Sequence, residues 1–265
     1  MIKIEKDFSN IPSILRKKNR KEAFDNNISS KSYSDGKNLY KVGSVQKKLN
    51  EIYHLKCAYC EQKLLDAPKH TEHYRPKDTY YWLAYSWDNL LLSCGSCNSS
   101  KKDDFKIKNN MVIYKNEKFI DIHQLGKFYD KVEEPLIINP EKDNVLEYIR
   151  YDLNAMVSSD NDRVKYTIEK ACNLNRKELI QKRLLILTDF INQINRHYKQ
   201  FEKNRDITRF FPDVQSFIEK VSKENEFYSF RYYIINNLEL FFKNENIQKL
   251  LNIALNQIKK EPLDA

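Results

Sequence analysis

The sequence predicts an α+β fold that is mostly helical, with a small metal-stabilised core in the middle of the chain and a helical C-terminal region. Apolar residues in the second half recur three and four positions apart, as on the buried face of a helix. Shorter apolar runs in the middle are typical of strands. Four of the five cysteines form two Cys-x-x-Cys pairs that bracket this middle segment.

These patterns divide the chain into three segments. Residues 1–56 form a basic N-terminal segment with a leading helix, residues 57–150 a core with a following extension, and residues 151–265 the helical C-terminal region. Glycine is scarce and no repeat or low-complexity linker occurs, so these boundaries rest on changes of pattern.

The N-terminal segment holds thirteen Lys or Arg against six Asp or Glu, a surplus of 13 − 6 = +7, within a chain of formal charge +9. This charge suits a polyanionic partner, although richness in Lys, Asn, Ile and Tyr also fits the codon bias of an AT-rich genome. Residues 26–38 are polar and predict a loose segment. Val45, Leu49 and Ile52 then predict a helix that leads to Cys57.

The remaining elements follow from apolar patterns. Short apolar runs occupy residues 80–85 and 90–92, and further strands are possible at 111–114 and 136–138. Beyond residue 163 the pattern becomes helical, with one long stripe and two shorter ones that predict two or three more helices; the long stripe comprises Leu184, Leu187, Ile191, Ile194, Tyr198 and Phe201. Such stripes are core, so we assign them no chemistry.

The two cysteine pairs, Cys57 with Cys60 and Cys94 with Cys97, predict a zinc site. Each pair presents two sulfurs on one tight turn, and in a reducing compartment this favours metal over disulfides. Four thiolates leave no open position on a tetrahedral ion, so the zinc would be structural. The fifth cysteine, Cys172, is predicted to be buried and unreactive. The 33 residues from 61 to 93 exceed the usual zinc-ribbon loop of about 15–20, so a further segment is inserted.

The inserted segment carries EHYRPK at residues 72–77 and WDNL at 87–90, and CNSSK follows at 97–101. These strings resemble the His-Asn-His (HNH) nuclease family. The resemblance implies a zinc-stabilised ββα-metal core, with a carboxylate-His pair on a strand, an Asn in the connecting loop and a His or Asn on the next helix. It also implies metal-dependent hydrolysis of DNA phosphodiester bonds, which requires a base for the attacking water and a divalent ion on the phosphate.

Carried over residue by residue, the resemblance makes His73 the general base, because a neutral imidazole can accept a proton. Glu72 and Asn98 would supply oxygen ligands to one Mg²⁺ or Mn²⁺. Asn89 would cross-link the loop and hold the His73 strand. In this chain Glu72 stands where Asp is frequent and Asn98 replaces the last His, so the preferred ion is less certain. Of the other four histidines only His70 rivals His73.

Three basic residues are candidates for binding the substrate phosphate. Lys101 and Lys102 lie one turn after Asn98 and could meet a phosphate oxygen. Arg75 could contact a phosphate or pair with Asp78, and the sequence does not separate these alternatives.

A wider resemblance covers about Val45 to Arg183. The strings YWLAYSWDNLLLSC at residues 81–94, EPLIINP at 134–140 and LNRKEL at 174–179 resemble the PtuB nuclease subunits of Septu and related retron anti-phage systems. This resemblance implies a bacterial defence effector that cuts DNA under the control of a partner ATPase, PtuA. The chain has no Gly-x-x-x-x-Gly-Lys loop, so ATP chemistry would come from another chain.

Two other functions remain open on the sequence alone. One is a stand-alone restriction-type HNH nuclease whose C-terminal region reads DNA. The other is a non-catalytic zinc-stabilised nucleic-acid-binding or adaptor module. No apolar run reaches the about 18 residues of a membrane span and the N-terminus lacks the pattern of a signal peptide, so we predict a cytoplasmic protein without a membrane partner.

Overall fold

The computed structural model describes residues 1, 3–205 and 210–258 of the 265-residue chain. The chain forms two compact units, the first comprising Met1–Ile149 with Ser159–Leu174 and the second Arg150–Ser158 with Asn175–Ala265. The predicted segments 1–56 and 57–150 thus share one unit, apart from residue 150. None of the described helices is long and apolar enough to cross a membrane.

Two helices precede the first cysteine pair: α1 spans Lys18–Ser30 and α2 spans Gly43–Ile52. Helix α2 confirms the predicted leading helix, because Val45 and Leu49 are fully buried on one face. The prediction of a loose segment at 26–38 is wrong in its first part, since α1 continues to residue 30. Asn27 is buried in this helix, and its polar side chain is hydrogen-bonded there. Its amide donates to the Tyr81 carbonyl (3.1 Å) and accepts from the Ser34 N–H (3.0 Å).

The core of the first unit is a two-stranded antiparallel sheet followed by a helix. Strand β1 spans Lys69–His73 and β2 spans Leu90–Cys94, with His73 opposite Leu90. Helix α3 spans Gly95–Lys101 and begins directly where β2 ends. All five residues of β2 are buried, as its apolar run predicts. This is the ββα arrangement that the resemblance to HNH nucleases implies.

The extension after α3 contains helix α4 (Gly126–Glu133), and α5 (Asp162–Tyr166) lies later in the same unit. The possible strands at 111–114 and 136–138 are wrong. The structure has only an isolated bridge between Ile107 and Pro135 in this part of the described chain. A strand requires a continuous partner, and Met111 and Ile113 instead point to solvent.

The second unit is mostly helical, as predicted for the C-terminal region, but residues 159–174 of that predicted region belong to the first unit. Its elements are β3 (Arg150–Tyr151), β4 (Val157–Ser158), α6 (Lys177–Asn204), α7 (Phe210–Glu219), α8 (Tyr228–Asn236), α9 (Leu238–Phe241) and α10 (Glu245–Ile258). Along α6, Leu187, Phe190 and Ile194 are buried on one stripe. Phe190 stacks on Phe217 of α7 with ring centroids 3.9 Å apart, so this face forms core packing. The predicted stripe is wrong at Leu184, which is exposed, and it omitted Phe190.

Candidate active site

The four predicted zinc ligands converge. Cys57 and Cys60 lie on a turn after α2, whereas Cys94 and Cys97 lie at the start of α3. Their sulfur atoms all lie within 4.8 Å of one another, and Cys60 Sγ is 3.8 Å from Cys94 Sγ. A tetrahedral zinc with Zn–S bonds of about 2.3 Å holds its sulfurs about 3.8 Å apart. The donor set and its spacing therefore fit a structural zinc.

Local hydrogen bonds fix the turn at Cys94 and favour its thiolate form. Cys94 Sγ accepts the Cys97 N–H at 3.3 Å, which fixes the turn between them. Hydrogen bonds from the Cys57, Cys60 and Cys97 thiols lower the pKa of Cys94, which favours the thiolate form that binds zinc. Cys172 is buried as predicted, and its carbonyl oxygen lies 4.0 Å from Cys97 Sγ.

His73 ends β1 and is held in one orientation. Its Nε2 lies 3.0 Å from the carbonyl oxygen of Ala84. Because a carbonyl only accepts, Nε2 carries the hydrogen and the lone pair of the neutral ring is on Nδ1. The Tyr40 ring packs edge-on against the imidazole with centroids 4.4 Å apart. Burial lowers the pKa of His73 to about 3, so the ring is neutral at physiological pH.

A cavity of about 180 Å³ lies beside His73, and Glu72, Asn98, His70 and Lys102 also line it. Glu72 and Asn98 offer side-chain oxygens, which are the donors that Mg²⁺ and Mn²⁺ prefer. The structure therefore brings the predicted base and both predicted metal ligands to one cavity. Their chemistry fits a hard divalent ion.

Lys101 differs from its expected role in phosphate binding. Its side chain is fully buried, and Nζ contacts Glu72 Oε1 at 2.9 Å and the His73 carbonyl oxygen at 2.9 Å. Burial raises the pKa of Glu72 while the Lys101 charge opposes that rise. Lys101 thus neutralises a buried carboxylate and cannot reach a phosphate in this arrangement. Lys102, by contrast, is exposed at the cavity.

Arg75 also departs from both alternatives left open by the sequence. It is buried, and its guanidinium contacts Glu133 Oε2 from Nε (2.9 Å) and Nη2 (2.7 Å) and Asp130 Oδ1 at 2.6 Å. Asp78 contacts Lys77 instead. Because both Arg75 partners belong to α4, more than fifty residues along the chain, no local pattern could reveal them. A buried guanidinium paired with two carboxylates is not available to a phosphate.

Asn89 joins the two ends of the loop that connects β1 to β2. Its Oδ1 accepts the Arg75 N–H at 2.7 Å, and its Nδ2 donates to the Arg75 carbonyl at 3.0 Å and to the Leu83 carbonyl at 3.3 Å. Asn89 lies directly before β2, and Arg75 lies two residues after His73. The amide therefore ties β2 to the chain that leaves β1.

Two residues of the N-terminal segment support this site, and the sequence reasoning missed both. Tyr40 covers His73, as described above. Lys6 is buried behind the site, where its Nζ contacts the Trp87 carbonyl (2.7 Å) and Glu141 Oε1 (2.6 Å). Both residues lie far from the HNH strings in the sequence, so no local pattern indicated that they belong to the site.

The segment that contains this arrangement matches a known protein family. Residues 57–104 match the model of the HNH endonuclease family, described as "HNH endonuclease". The match runs from the first cysteine of the cluster to three residues beyond α3, and it contains β1, β2 and every predicted metal ligand. The part of the chain that contains β1, β2 and α3 is therefore similar to HNH endonuclease domains.

Among curated proteins, the chain is similar to Septu proteins. It is 31% identical to the Septu protein PtuB of Bacillus mycoides (strain KBAB4) over 166 residues, covering 57% of this chain and 53% of the relative. Identity to the Septu protein PtuB of Bacillus thuringiensis is 26% over 251 residues, covering 86% and 87%. Identity to the Septu protein PtuA of Bacillus mycoides is 26% over 161 residues, covering 56% and 21%.

These similarities confirm the predicted resemblance to HNH nucleases and to PtuB. The chain spans about half the length of the Bacillus mycoides PtuB and about a fifth of the PtuA.

Proposed function

We propose that this chain is a metal-dependent endonuclease that hydrolyses DNA phosphodiester bonds. The observation that carries the proposal is the orientation of His73. Its Nε2–H is committed to the Ala84 carbonyl, so Nδ1 is the nitrogen that can accept a proton. The same cavity is lined by Glu72 and Asn98, whose side-chain oxygens suit a divalent ion.

In this mechanism, Nδ1 of His73 accepts a proton from the attacking water. The Ala84 carbonyl keeps the ring in place and favours the imidazolium that results, and the negative charge of a bound phosphodiester does the same. A Mg²⁺ or Mn²⁺ held by Glu72 and Asn98 would stabilise the charge that develops on the phosphate and on the leaving oxygen. Asn89 holds the chain on either side of this site.

Zinc has a different role in this proposal. Four cysteines occupy every position of a tetrahedral ion, so no water could be activated there. Because Asn98 directly follows Cys97 on α3, the zinc cluster would fix the helix that presents the Asn98 amide.

We propose further that the nuclease is an effector of bacterial anti-phage defence and acts with a PtuA-like ATPase. Similarity to two proteins named PtuB and one named PtuA supports this assignment. The chain itself has no Gly-x-x-x-x-Gly-Lys loop, so the ATPase would be a separate partner. The cytoplasm would be the place of action, because it contains invading DNA and keeps cysteines reduced for zinc.

A plasmid cleavage assay tests the nuclease. Wild-type protein should cut DNA only with added Mg²⁺ or Mn²⁺, and His73→Ala should cut at least about 10²-fold more slowly, the usual contribution of a general base. His197→Ala is a matched control, because His197 lies on α6 in the second unit. Cleavage by His73→Ala at the wild-type rate would exclude His73 as the base.

Two further readouts separate the other functions. Discrete DNA fragments from the chain alone would favour a stand-alone restriction-type nuclease, whereas a smear that depends on a co-purifying PtuA-like ATPase would favour the defence effector. Salt-sensitive DNA binding without cleavage under any divalent ion would indicate a non-catalytic binding module.

A further inference from the structure

Three lysines from separate parts of the first unit meet at the His73 cavity. Lys41 belongs to a short 3₁₀ helix that precedes α2, Lys77 lies four residues after His73, and Lys102 follows α3. Lys41 lies outside the region that matches the HNH family. The cavity thus has a cationic rim that the HNH strings alone do not define, and we call Lys41, Lys77 and Lys102 the lysine rim.

The lysine rim is positioned to meet an anion from solvent. Lys41 and Lys102 are exposed, and the side chain of Lys77 is 25% exposed. Within the described part of the chain, neither Lys41 nor Lys102 forms an ion pair with a carboxylate. Lys77 has only a long contact to Asp78 (3.3 Å) and lies over the Tyr33 ring at 4.2 Å.

Lys101 is a fourth lysine near the cavity, and it differs from the three lysines of the rim. It belongs to the same site, but its ammonium is buried against Glu72 at 2.9 Å. Glu72 is thereby neutralised without using any lysine of the rim. The other carboxylate at the cavity is Asp103, which is exposed. Three lysines against one exposed aspartate leave the mouth of the cavity positive.

The rim lysines and the proposed base line the same cavity. Lys41, Lys77 and Lys102 lie in its wall together with His73, so three positive side chains surround the point where a phosphodiester would be cut. Positive side chains around such a point attract and orient the polyanionic backbone of a nucleic acid.

We propose that Lys41, Lys77 and Lys102 bind the backbone phosphates that flank the bond presented to His73, with DNA as the ligand. This inference rests on the proposed nuclease function and extends it with a substrate-binding site. The N-terminal segment, through Lys41, thus forms one side of the substrate site. Phosphate contacts position a nucleic acid without reading its sequence, so the rim should bind DNA of any sequence.

The test measures DNA binding separately from cleavage. His73→Ala protein is titrated with a short fluorescent DNA duplex at several salt concentrations, and anisotropy gives the affinity. The triple variant with Lys41, Lys77 and Lys102 changed to Gln should bind at least about tenfold more weakly at low salt. The slope of log affinity against log salt is negative, and its magnitude should fall by about 0.9 for each lost phosphate contact.

Matched variants control for charge and folding. Lys199→Gln removes one charge from an exposed position on α6 in the second unit and should change affinity less than about twofold. Because Lys77 also packs on Tyr33, the double variant of Lys41 and Lys102 is measured beside the triple, and thermal unfolding checks that each is folded. The double variant should show about two thirds of the change in salt slope that the triple variant shows.

The outcomes separate this inference from the proposed function. If folded double and triple variants bind DNA with wild-type affinity and salt slope, the proposed phosphate-binding role of the lysine rim is wrong. This holds even where wild-type protein cleaves DNA and His73→Ala does not. If no divalent ion supports cleavage but binding depends on the three lysines, the rim stands and the hydrolytic function fails.

Discussion

The side-chain amide of Asn89 is hydrogen-bonded to both backbone polar groups of Arg75, with its Oδ1 2.7 Å from the Arg75 nitrogen and its Nδ2 3.0 Å from the Arg75 oxygen. Beyond His73, the backbone hydrogen bond from the Tyr74 N–H to the Asn89 carbonyl (2.9 Å) and this buried side chain together join the two chains. Because Arg75 is two residues from His73, the position of the base depends on an amide that lies directly before β2.

Replacing Asn89 with Ala should destabilise the chain and slow cleavage. The change leaves the Arg75 N–H and two carbonyls without these hydrogen-bond partners. Each buried polar group without a partner costs about 1–3 kcal/mol, so we expect the free energy of unfolding to fall by at least about 3 kcal/mol. Cleavage of the folded variant should fall about 10–100-fold, as for other residues that orient catalytic groups. Urea unfolding and plasmid cleavage measure the two effects.

Asn195→Ala is the control for this change. Asn195 is exposed on α6, so its replacement should alter the unfolding free energy by less than about 0.5 kcal/mol. Wild-type cleavage by a folded Asn89→Ala protein would show that the bridge does not position His73.

Zinc content and stability should change together when a cluster cysteine is lost. Purified wild-type protein should contain one zinc per chain by elemental analysis, and Cys57→Ser should lose it and the cooperative thermal unfolding of the first unit, because structural zinc binding supplies folding free energy. Cys172→Ala is the matched control: Cys172 is buried nearby but is not one of the four clustered sulfurs. Retention of zinc by Cys57→Ser would refute the four-cysteine site.

The sequence predicted what is local and missed what depends on distant contacts. Paired cysteines and a short apolar run indicate their geometry within a few positions, so the cysteine cluster and a strand at 90–92 could be predicted. Lys101 and Arg75 could not be interpreted in the same way. A surface cation and a buried, paired cation look alike in sequence, and the Arg75 partners come from α4.

The pairing of Arg75 with Glu133 leads to a test by double substitution. Glu133 is fully buried and is paired with Arg75. Arg75→Met removes the positive partner of this buried carboxylate, so we expect the free energy of unfolding to fall by about 3–5 kcal/mol. Adding Glu133→Gln should recover part of that loss, so the double variant should be more stable than the sum of the single losses predicts. Urea unfolding of all four proteins gives the coupling energy.

An exposed arginine calibrates this measurement. Arg196→Met on α6 should change stability by less than about 0.5 kcal/mol. Strictly additive losses for Arg75 and Glu133 would contradict a buried ion pair and would reopen a role for Arg75 at the substrate.

His123 should make the stability of the first unit depend on pH. Its Nδ1 accepts the Trp87 N–H at 3.1 Å, next to the Asp88-Asn89 turn, which requires the neutral ring. Burial, followed by the charge of Arg16, lowers the pKa of His123 from 6.5 to about 4. Between these pH values the unfolded chain binds the proton and the folded chain does not. The stability that neutral His123 provides is therefore complete above pH 6.5 and is lost as pH falls towards 4.

The difference between the two pKa values corresponds to at most about 3 kcal/mol. His123→Asn isolates this contribution, because its Oδ1 can replace Nδ1 as the acceptor but does not titrate. Urea unfolding of both proteins at intervals from pH 7 to pH 4 should show wild type losing more stability than the variant, since all carboxylates are common to both. Parallel pH profiles would mean that His123 takes up its proton as readily in the folded chain as in the unfolded one, and the Trp87 N–H would then lack its acceptor in mild acid.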